Sequence, residues 1–433
     1  MQQPRARSET GILRKAVVHT PGAELSNVSP RNRNTFGFDD LLYGRLARRE
    51  HDTLVALLRD VFGVEVLFFR ELLEEALARA NSMDRLLLIE TVAQIEELDA
   101  RQQERLMGLL GRLGEEGVAP LADRLIHGDV VRPEASVSDF LSAELYHLPP
   151  APNLMLVRDL AATTGDDMFV AWSSERVRRR ENLLWRAVLQ HSRLRGKVRW
   201  FNWMVDDPDA PGRPLYSLDG GNVVQAGENV LIVGQGPRTG PAAVEKLVQW
   251  TQEHAPQETH VFLVSLPSPV EHLDTVFTML SRDECLVFPP SVLGNGPESI
   301  NVLQLTLRPG GAPKFIRPSG LLGPLGEALG VHLKPVSCGG TSPLEQRREQ
   351  WWGGASALAV APGKVITFRS AGRTIEELES RGYACLDGEE VLSGKVGGPD
   401  EHEKCVIAIR GSELSRARGG PRSYVLPLVR DPL

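Results

Sequence analysis

The stretch Val223-Val224-Gln225-Ala226-Gly227-Glu228-Asn229-Val230-Leu231-Ile232-Val233 reads as two strands folded back on a Gly-Glu-Asn turn. The residues after it complete a unit. The spacing of apolar positions over residues 241–253 predicts a helix, and residues 259–265 are β-branched and aromatic enough for a third strand. Alternation of strand and helix is the pattern of an α/β chain. The same texture recurs outward in both directions. Toward the N-terminus, Ala16-Val17-Val18-His19 is a short strand ended by Thr20-Pro21-Gly22. Residues 39–59 then carry Leu42, Leu46, Leu54, Leu57 and Leu58 at helical spacing, and Val64 to Phe68 is again strand. Toward the C-terminus, residues 354–367 form a strand pair around Pro362-Gly363, 374–381 a short helix and 405–409 a strand. One segment breaks the alternation. From Glu71 to about Ile126 there is almost no strand signal, and leucine recurs at helical spacing among glutamates and arginines. The fold class read from pattern alone is therefore α/β with an α-helical insertion: residues 1–70 and 150–433 make the α/β body, and 71–149 the insertion, ending near Leu148-Pro149-Pro150.

Composition narrows the function. The chain has 433 residues, 42% hydrophobic and 24% charged, which is ordinary for a globular protein. Lysine and arginine number 49 against 56 acidic residues, a net charge of −7, so nothing electrostatic suggests nucleic-acid binding. No apolar run approaches membrane-spanning length, and Met1 to Arg14 is polar, without a signal-peptide core. The expectation is a cytoplasmic protein with neither nucleic acid nor membrane as partner. The cysteines, Cys285, Cys338, Cys385 and Cys405, show neither C-x-x-C pairing nor histidine neighbours at zinc-ligand spacing, and read as reduced, mostly buried thiols. No metal or organic cofactor is expected.

Several short motifs carry more. The tail reads Gly411-Ser412-Glu413-Leu414, then Arg418-Gly419-Gly420-Pro421-Arg422-Ser423. Upstream stand Pro152-Asn153-Leu154, Arg158-Asp159, Leu218-Asp219-Gly220-Gly221-Asn222 and Arg238-Thr239. His272-Leu273-Asp274-Thr275-Val276-Phe277-Thr278-Met279, Cys338-Gly339-Gly340 and Arg348-Glu349-Gln350-Trp351 complete the series. In this order and spacing the set resembles the arginine deiminase family over nearly the whole chain. The resemblance implies a five-bladed α/β propeller, the pentein fold, carrying the helical insertion. It also implies a small-molecule guanidino or amino-acid ligand. Members of that family self-associate, which leaves room for a homo-oligomer.

The residues fit such a ligand chemically. A guanidinium is planar, permanently charged and a multiple donor, and carboxylates are its best partners. The resemblance assigns Asp159 and Asp274 to it. His272 suits proton transfer near neutrality and is implied as the general acid/base, with Asp219 supporting it where the family has a glutamate. Two residues apart, His272 and Asp274 face the same side if they lie on a strand. Arg178 and Arg238 are implied for the α-carboxylate of the substrate, with Asn153 and Arg418 completing the binding set. An arginine run such as 178–180 is otherwise a solvated helix face, from which Arg178 alone turns inward.

The departures from the family pattern are concentrated. Ser423 stands at the position of the family's catalytic cysteine, followed by Tyr424-Val425, and the segment after Arg348-Glu349-Gln350-Trp351 reads Trp352-Gly353-Gly354-Ala355-Ser356. Leu156 and Asn222 are further replacements. A thiolate is partly available near neutral pH, whereas a serine hydroxyl needs an adjacent base. Three readings stay open: a working arginine deiminase, a family member with repurposed chemistry, and a non-catalytic binding or scaffold protein. The concentration of changes favours the second, a guanidino-binding site that performs other chemistry than efficient arginine hydrolysis.

Overall fold

The computed structural model describes residues 5–132, 145–201, 216–254 and 257–433. Part of the expected insertion, 133–144, lies outside the described residues. Among those described, one plan of construction occurs five times. A first strand pairs antiparallel with a second, a helix follows, and a third strand returns parallel to the second, as a crossover connection requires. The first, second and third strands are Ala161–Thr164, Asp167–Val170 and Arg199–Phe201 in one unit. Val223–Gly227, Val230–Gln235 and Thr259–Ser265 form the next. Phe277–Met279, Glu284–Val287 and Lys334–Ser337 follow, then Leu358–Ala361, Lys364–Phe368 and Cys405–Ile409. In the remaining unit the C-terminal strand Leu426–Arg430 supplies the first position beside Leu13–Val18 and Glu65–Phe68, so the two ends of the chain share a sheet.

Local chemistry accounts for the hairpins. Val223 pairs with Val233 across the predicted turn, and every residue of Val223–Gly227 is buried. At Pro362-Gly363, proline fixes the first turn position and Gly363 takes φ +70°, which a side chain would oppose. The helices Phe69–Arg79, Ser82–Ile95, Ala100–Gly111 and Ala119–His127 fill the segment expected to be helical. Their leucines share an apolar cluster with Trp185 of the helix Arg176–His191 and with Leu426 and Leu428. Each fully buried leucine there contributes about 1.5–3 kcal/mol. The helix expected over 39–59 starts only at Gly44, runs to Ala56 and widens into a π turn, Leu57–Val61.

The feature that positions the site is the entry to each first strand. A short turn precedes it in each unit: Val157–Leu160, Gly220–Asn222, Leu273–Thr275, residues 352–355, and Pro421–Tyr424. These turns touch one another in a ring. The turn at Val157–Leu160 packs on Gly220–Asn222, and that in turn on Leu273–Thr275. Thr278 Oγ1 donates to the Ala355 carbonyl at 2.7 Å, the Arg422 amide to Ser356 at 3.3 Å, and Pro421–Tyr424 closes back onto Val157–Leu160. Residues far apart in sequence thus arrive at one place because each sits at the same point of its unit.

Candidate active site

Asn153, Asp159, Arg178, Arg238, His272, Asp274, Arg418 and Ser423 line one cavity of about 310 Å³. Asp219 stands immediately behind it, hydrogen-bonded to His272 Nε2 at 3.1 Å. All nine residues singled out in the sequence are therefore brought together. The route is different from the strand expected for two of them. His272 is extended but precedes the 3₁₀ turn Leu273–Thr275, and the strand begins only at Phe277. Side-chain alternation along a strand does not bring His272 and Asp274 together; the turn does. A larger cavity of about 950 Å³ lies against the five-stranded sheet beside Val244 and Leu263, away from these residues.

The carboxylates are not free. Asp159 Oδ2 accepts from Arg178 Nη1 at 2.7 Å, and Asp274 Oδ2 from Arg422 Nη1 at 2.7 Å. The second oxygen of each faces the cavity, and that of Asp159 also accepts from the Gly221 amide at 3.3 Å. A side-chain carbon at Gly221 would stand 2.8 Å from Asp159 Oδ1, 3.3 Å from Asp274 Oδ1 and 3.3 Å from the His272 ring. The space between the two aspartates and the histidine exists because residue 221 is glycine. Asn222, the altered acid of its motif, ties the loops: it donates to Thr239 Oγ1 at 3.0 Å and accepts from the Leu273 amide at 2.8 Å.

Burial and charge set the protonation states. Burial disfavours the His272 imidazolium, but the charge of Asp159, the hydrogen bond the imidazolium donates to Asp219, and Asp274 outweigh it and push its pKa up to about 9. Burial likewise opposes ionisation of Asp159, yet His272 and Arg178 hold it down at about 2. For Asp274 burial prevails and raises the pKa, because Arg422 is shared with Glu9, 2.9 Å from its Nε. The free site therefore holds a protonated histidine among carboxylates. Asp159, Asp219 and His272 place one donor atom each within 4.8 Å of one another, the spacing of a metal group. Arg178 Nη1, 2.7 Å from Asp159 and 3.8 Å from Asp219, already supplies positive charge to two of its members.

The remaining expected residues take specific partners. Arg178 does turn inward, and besides Asp159 it meets Glu181 at 3.3 Å, but it is not alone: Arg180 is buried too, against Glu96 at 3.2 Å and the Pro149 carbonyl at 2.6 Å, so the run is not the solvated face expected. Arg238 bonds Glu271 Oε2 through Nη2 at 2.9 Å and through Nε at 3.2 Å. Arg418 stacks on Trp351, 3.8 Å from the ring centre, and pairs with Asp39 at 2.7 Å. Asn153 donates to the Phe36 carbonyl at 2.8 Å. Among the described residues no hydrogen bond reaches the Ser423 hydroxyl; His272 Nε2 is turned to Asp219 instead. Cys285, Cys338 and Cys405 are buried, Cys385 is exposed, and none of the four lines the cavity. Burial pushes the Cys338 thiol up to about 12 and that of Cys405 to about 11.

Sequence reasoning missed Arg422, Glu9, Arg158, Glu181 and Glu271. Arg158 and Arg422 clamp Glu9 at 2.9 Å each. Burial alone would raise Glu9, but these arginines hold it at about 2. Two of the five were within quoted motifs, beside Asp159 and Ser423. Other motif residues turn out to be scaffold: Glu413 and Leu414 donate their amides to Glu50 at 3.0 Å each. Glu349 accepts from the Arg373 and Thr374 amides at 2.7 and 2.8 Å.

Fold and cavity together define a protein of the pentein-fold, guanidino-group-modifying class. The comparisons with known proteins agree. The family model for arginine deiminase matches residues 35–430. The arginine deiminase of Listeria monocytogenes is 30% identical over 438 residues, covering 98% of this chain and 97% of its own, and that of Listeria welshimeri is 31% identical over 433 residues, covering 98% of each. Among solved structures, an amidinotransferase from Microseira wollei in the saxitoxin biosynthetic pathway shares the fold, with a TM-score of 0.52, 13% identity and coverage of 99% and 98% of the two chains. The chain belongs to the arginine deiminase family. Among the described residues, no helix is long and apolar enough to cross a membrane.

Proposed function

We propose that the cavity binds the guanidinium of arginine or a related compound between Asp159 and Asp274, and that His272 moves protons there without a covalent step on Ser423. The observation that carries this reading is the convergence of Asp159 Oδ1, Asp274 Oδ1 and the His272 ring on the space above Gly221. Each carboxylate turns one oxygen to this space, and a carboxylate oxygen can accept more than one hydrogen bond, which suits a planar donor bridging the two. The side of Ser423 supports the absence of a covalent step. Its hydroxyl has no base bonded to it, and a serine without one is a weak nucleophile.

The charge state of His272 gives the site its order of events. Free, the imidazolium occupies carboxylates that a guanidinium would also use. A guanidinium is never deprotonated at ordinary pH, so its entry expels the histidine proton. The neutral imidazole is then a base for water, and the protonated one an acid for a departing amine. A site lacking any turnover, the non-catalytic reading, is favoured by the same unengaged Ser423 hydroxyl, and by that alone.

Two expected results follow from this order. Binding of a guanidinium ligand at pH 7.5 releases about one proton, read by calorimetry in buffers of different ionisation enthalpy. The sign follows from the raised pKa of the free histidine: affinity climbs as pH approaches about 9 and levels above it. A pH-independent affinity contradicts the reading. Whatever turnover of guanidines is found is lost in His272→Ala, and unchanged turnover excludes His272 from the chemistry. Release of citrulline from arginine at ordinary enzyme rates establishes instead the hydrolysis known for the family.

A further inference from the structure

The cavity contains three arginines suited to a ligand carboxylate, and each is already matched by acids of the chain. Arg178 meets Asp159, Glu181 and Asp219 at 2.7, 3.3 and 3.8 Å. Arg418 is paired with Asp39 at 2.7 Å and covered by Trp351. Arg238 is the nearest of the three to a free receptor: Glu271 takes two of its nitrogens, at 2.9 and 3.2 Å, and the third, Nη1, is buried without a hydrogen bond, with Glu175 standing 3.6 Å from it. Burial opposes ionisation of Glu271, but Arg238 holds its pKa below the usual carboxylate range, so the pair is a charged one.

Glu271 adjoins His272 and lines the same cavity, and the acids there outnumber the arginines: Asp39, Asp159, Glu175, Glu271 and Asp274 against Arg178, Arg238 and Arg418. An incoming carboxylate could reach Arg238 only through Nη1, where it would stand against the charges of Glu271 and Glu175. A carboxamide or a plain amine tail has no such conflict. Arg418, Glu271 and His272 also line a second cavity of about 280 Å³, bounded by Trp351, Phe288 and Gln350.

We propose that the ligand of this site is a guanidinium compound without a free carboxylate, and that Glu271, by holding Arg238, sets that preference. The proposal rests on the guanidinium reading above. It names Glu271 as a specificity-determining residue and the tail of the ligand as neutral or cationic, such as an amidated, peptide-linked or decarboxylated arginine.

L-arginine and L-argininamide differ only at the carboxylate and separate the possibilities by calorimetry on the full chain at pH 7.5. The amide is expected to bind about tenfold or more tightly than arginine, equivalent to about 1.4 kcal/mol. In Glu271→Gln, arginine gains and the ratio falls by about the same factor, because Arg238 is released. Glu271 is part-exposed, so the substitution leaves the core intact. Arginine binding as tightly as the amide, or more so, overturns the proposal while leaving the guanidinium site standing. An unchanged ratio in Glu271→Gln overturns the role of Glu271. Failure of both ligands to bind removes the guanidinium reading and the proposal with it.

Discussion

Ser423→Cys is expected to acquire a covalent guanidine adduct at a rate on the order of 10³-fold or more above the native protein, the scale on which loss of an enzyme's nucleophile is felt. Residue 423 lines the cavity with His272, Asp159 and Asp274, so a sulfur there enters a place already furnished with an acid and two guanidinium acceptors. With the guanidinium bound the imidazole is neutral, so it takes the thiol proton and leaves the thiolate. In the step itself the thiolate sulfur bonds to the guanidinium carbon. One C–N bond then breaks, and ammonia leaves with the proton of His272. An S-substituted isothiourea cation remains on the protein. Mass spectrometry of the intact variant after incubation with argininamide reads the adduct directly. Lack of any adduct in a variant that still binds the ligand shows that the departures around the site, and not the missing sulfur, stop the family's chemistry.

Arg422→Met is expected to cost about 3–5 kcal/mol of stability, the range for breaking a buried ion pair from one side. Arg422 is 1% exposed and holds two acids at once, Glu9 at 2.9 Å and Asp274 at 2.7 Å. Glu9 keeps Arg158, whereas Asp274 is left as a buried carboxylate with no arginine bonded to it. The pH dependence identifies the cause. An acid whose folded pKa is raised destabilises when ionised, so the folded variant binds the proton more readily than the unfolded chain. Its deficit therefore shrinks as pH falls through the acid range, and urea denaturation at two pH values measures it. A deficit that does not change with pH assigns the loss to packing and not to the unpaired acids. A loss below about 1 kcal/mol, the level of exposed ion pairs, contradicts the buried clamp altogether.

How far the sequence carried differs between levels. The strands 259–265 and 405–409 fall where the residue pattern places them, because β-branched runs bounded by turn residues are a local signal. The hairpin 223–233 was legible for the same reason. The pairing of Leu426–Arg430 with Leu13–Val18 was not, since no local pattern records which distant strand a strand joins. The set of cavity residues came from motif order, not from spacing, and the structure brings all of them to one ring of turns. Their partners escaped. Arg422 carries no local mark beyond its place in the tail motif, and Glu271 none beside His272. An arginine shared between two acids, or an acid neutralising a binding arginine, is a property of three-dimensional neighbours with no periodic trace in the chain.

The cavity is proposed to hold a guanidinium with no covalent bond to the chain. The most direct measurement incubates the native protein with isotopically labelled argininamide, denatures it in acid and weighs the intact chain, with calorimetry on the same sample. Saturable binding together with an unchanged mass is the predicted outcome. A mass increase that maps to the peptide containing Ser423 contradicts it, for then the hydroxyl does what a thiolate does in the rest of the family.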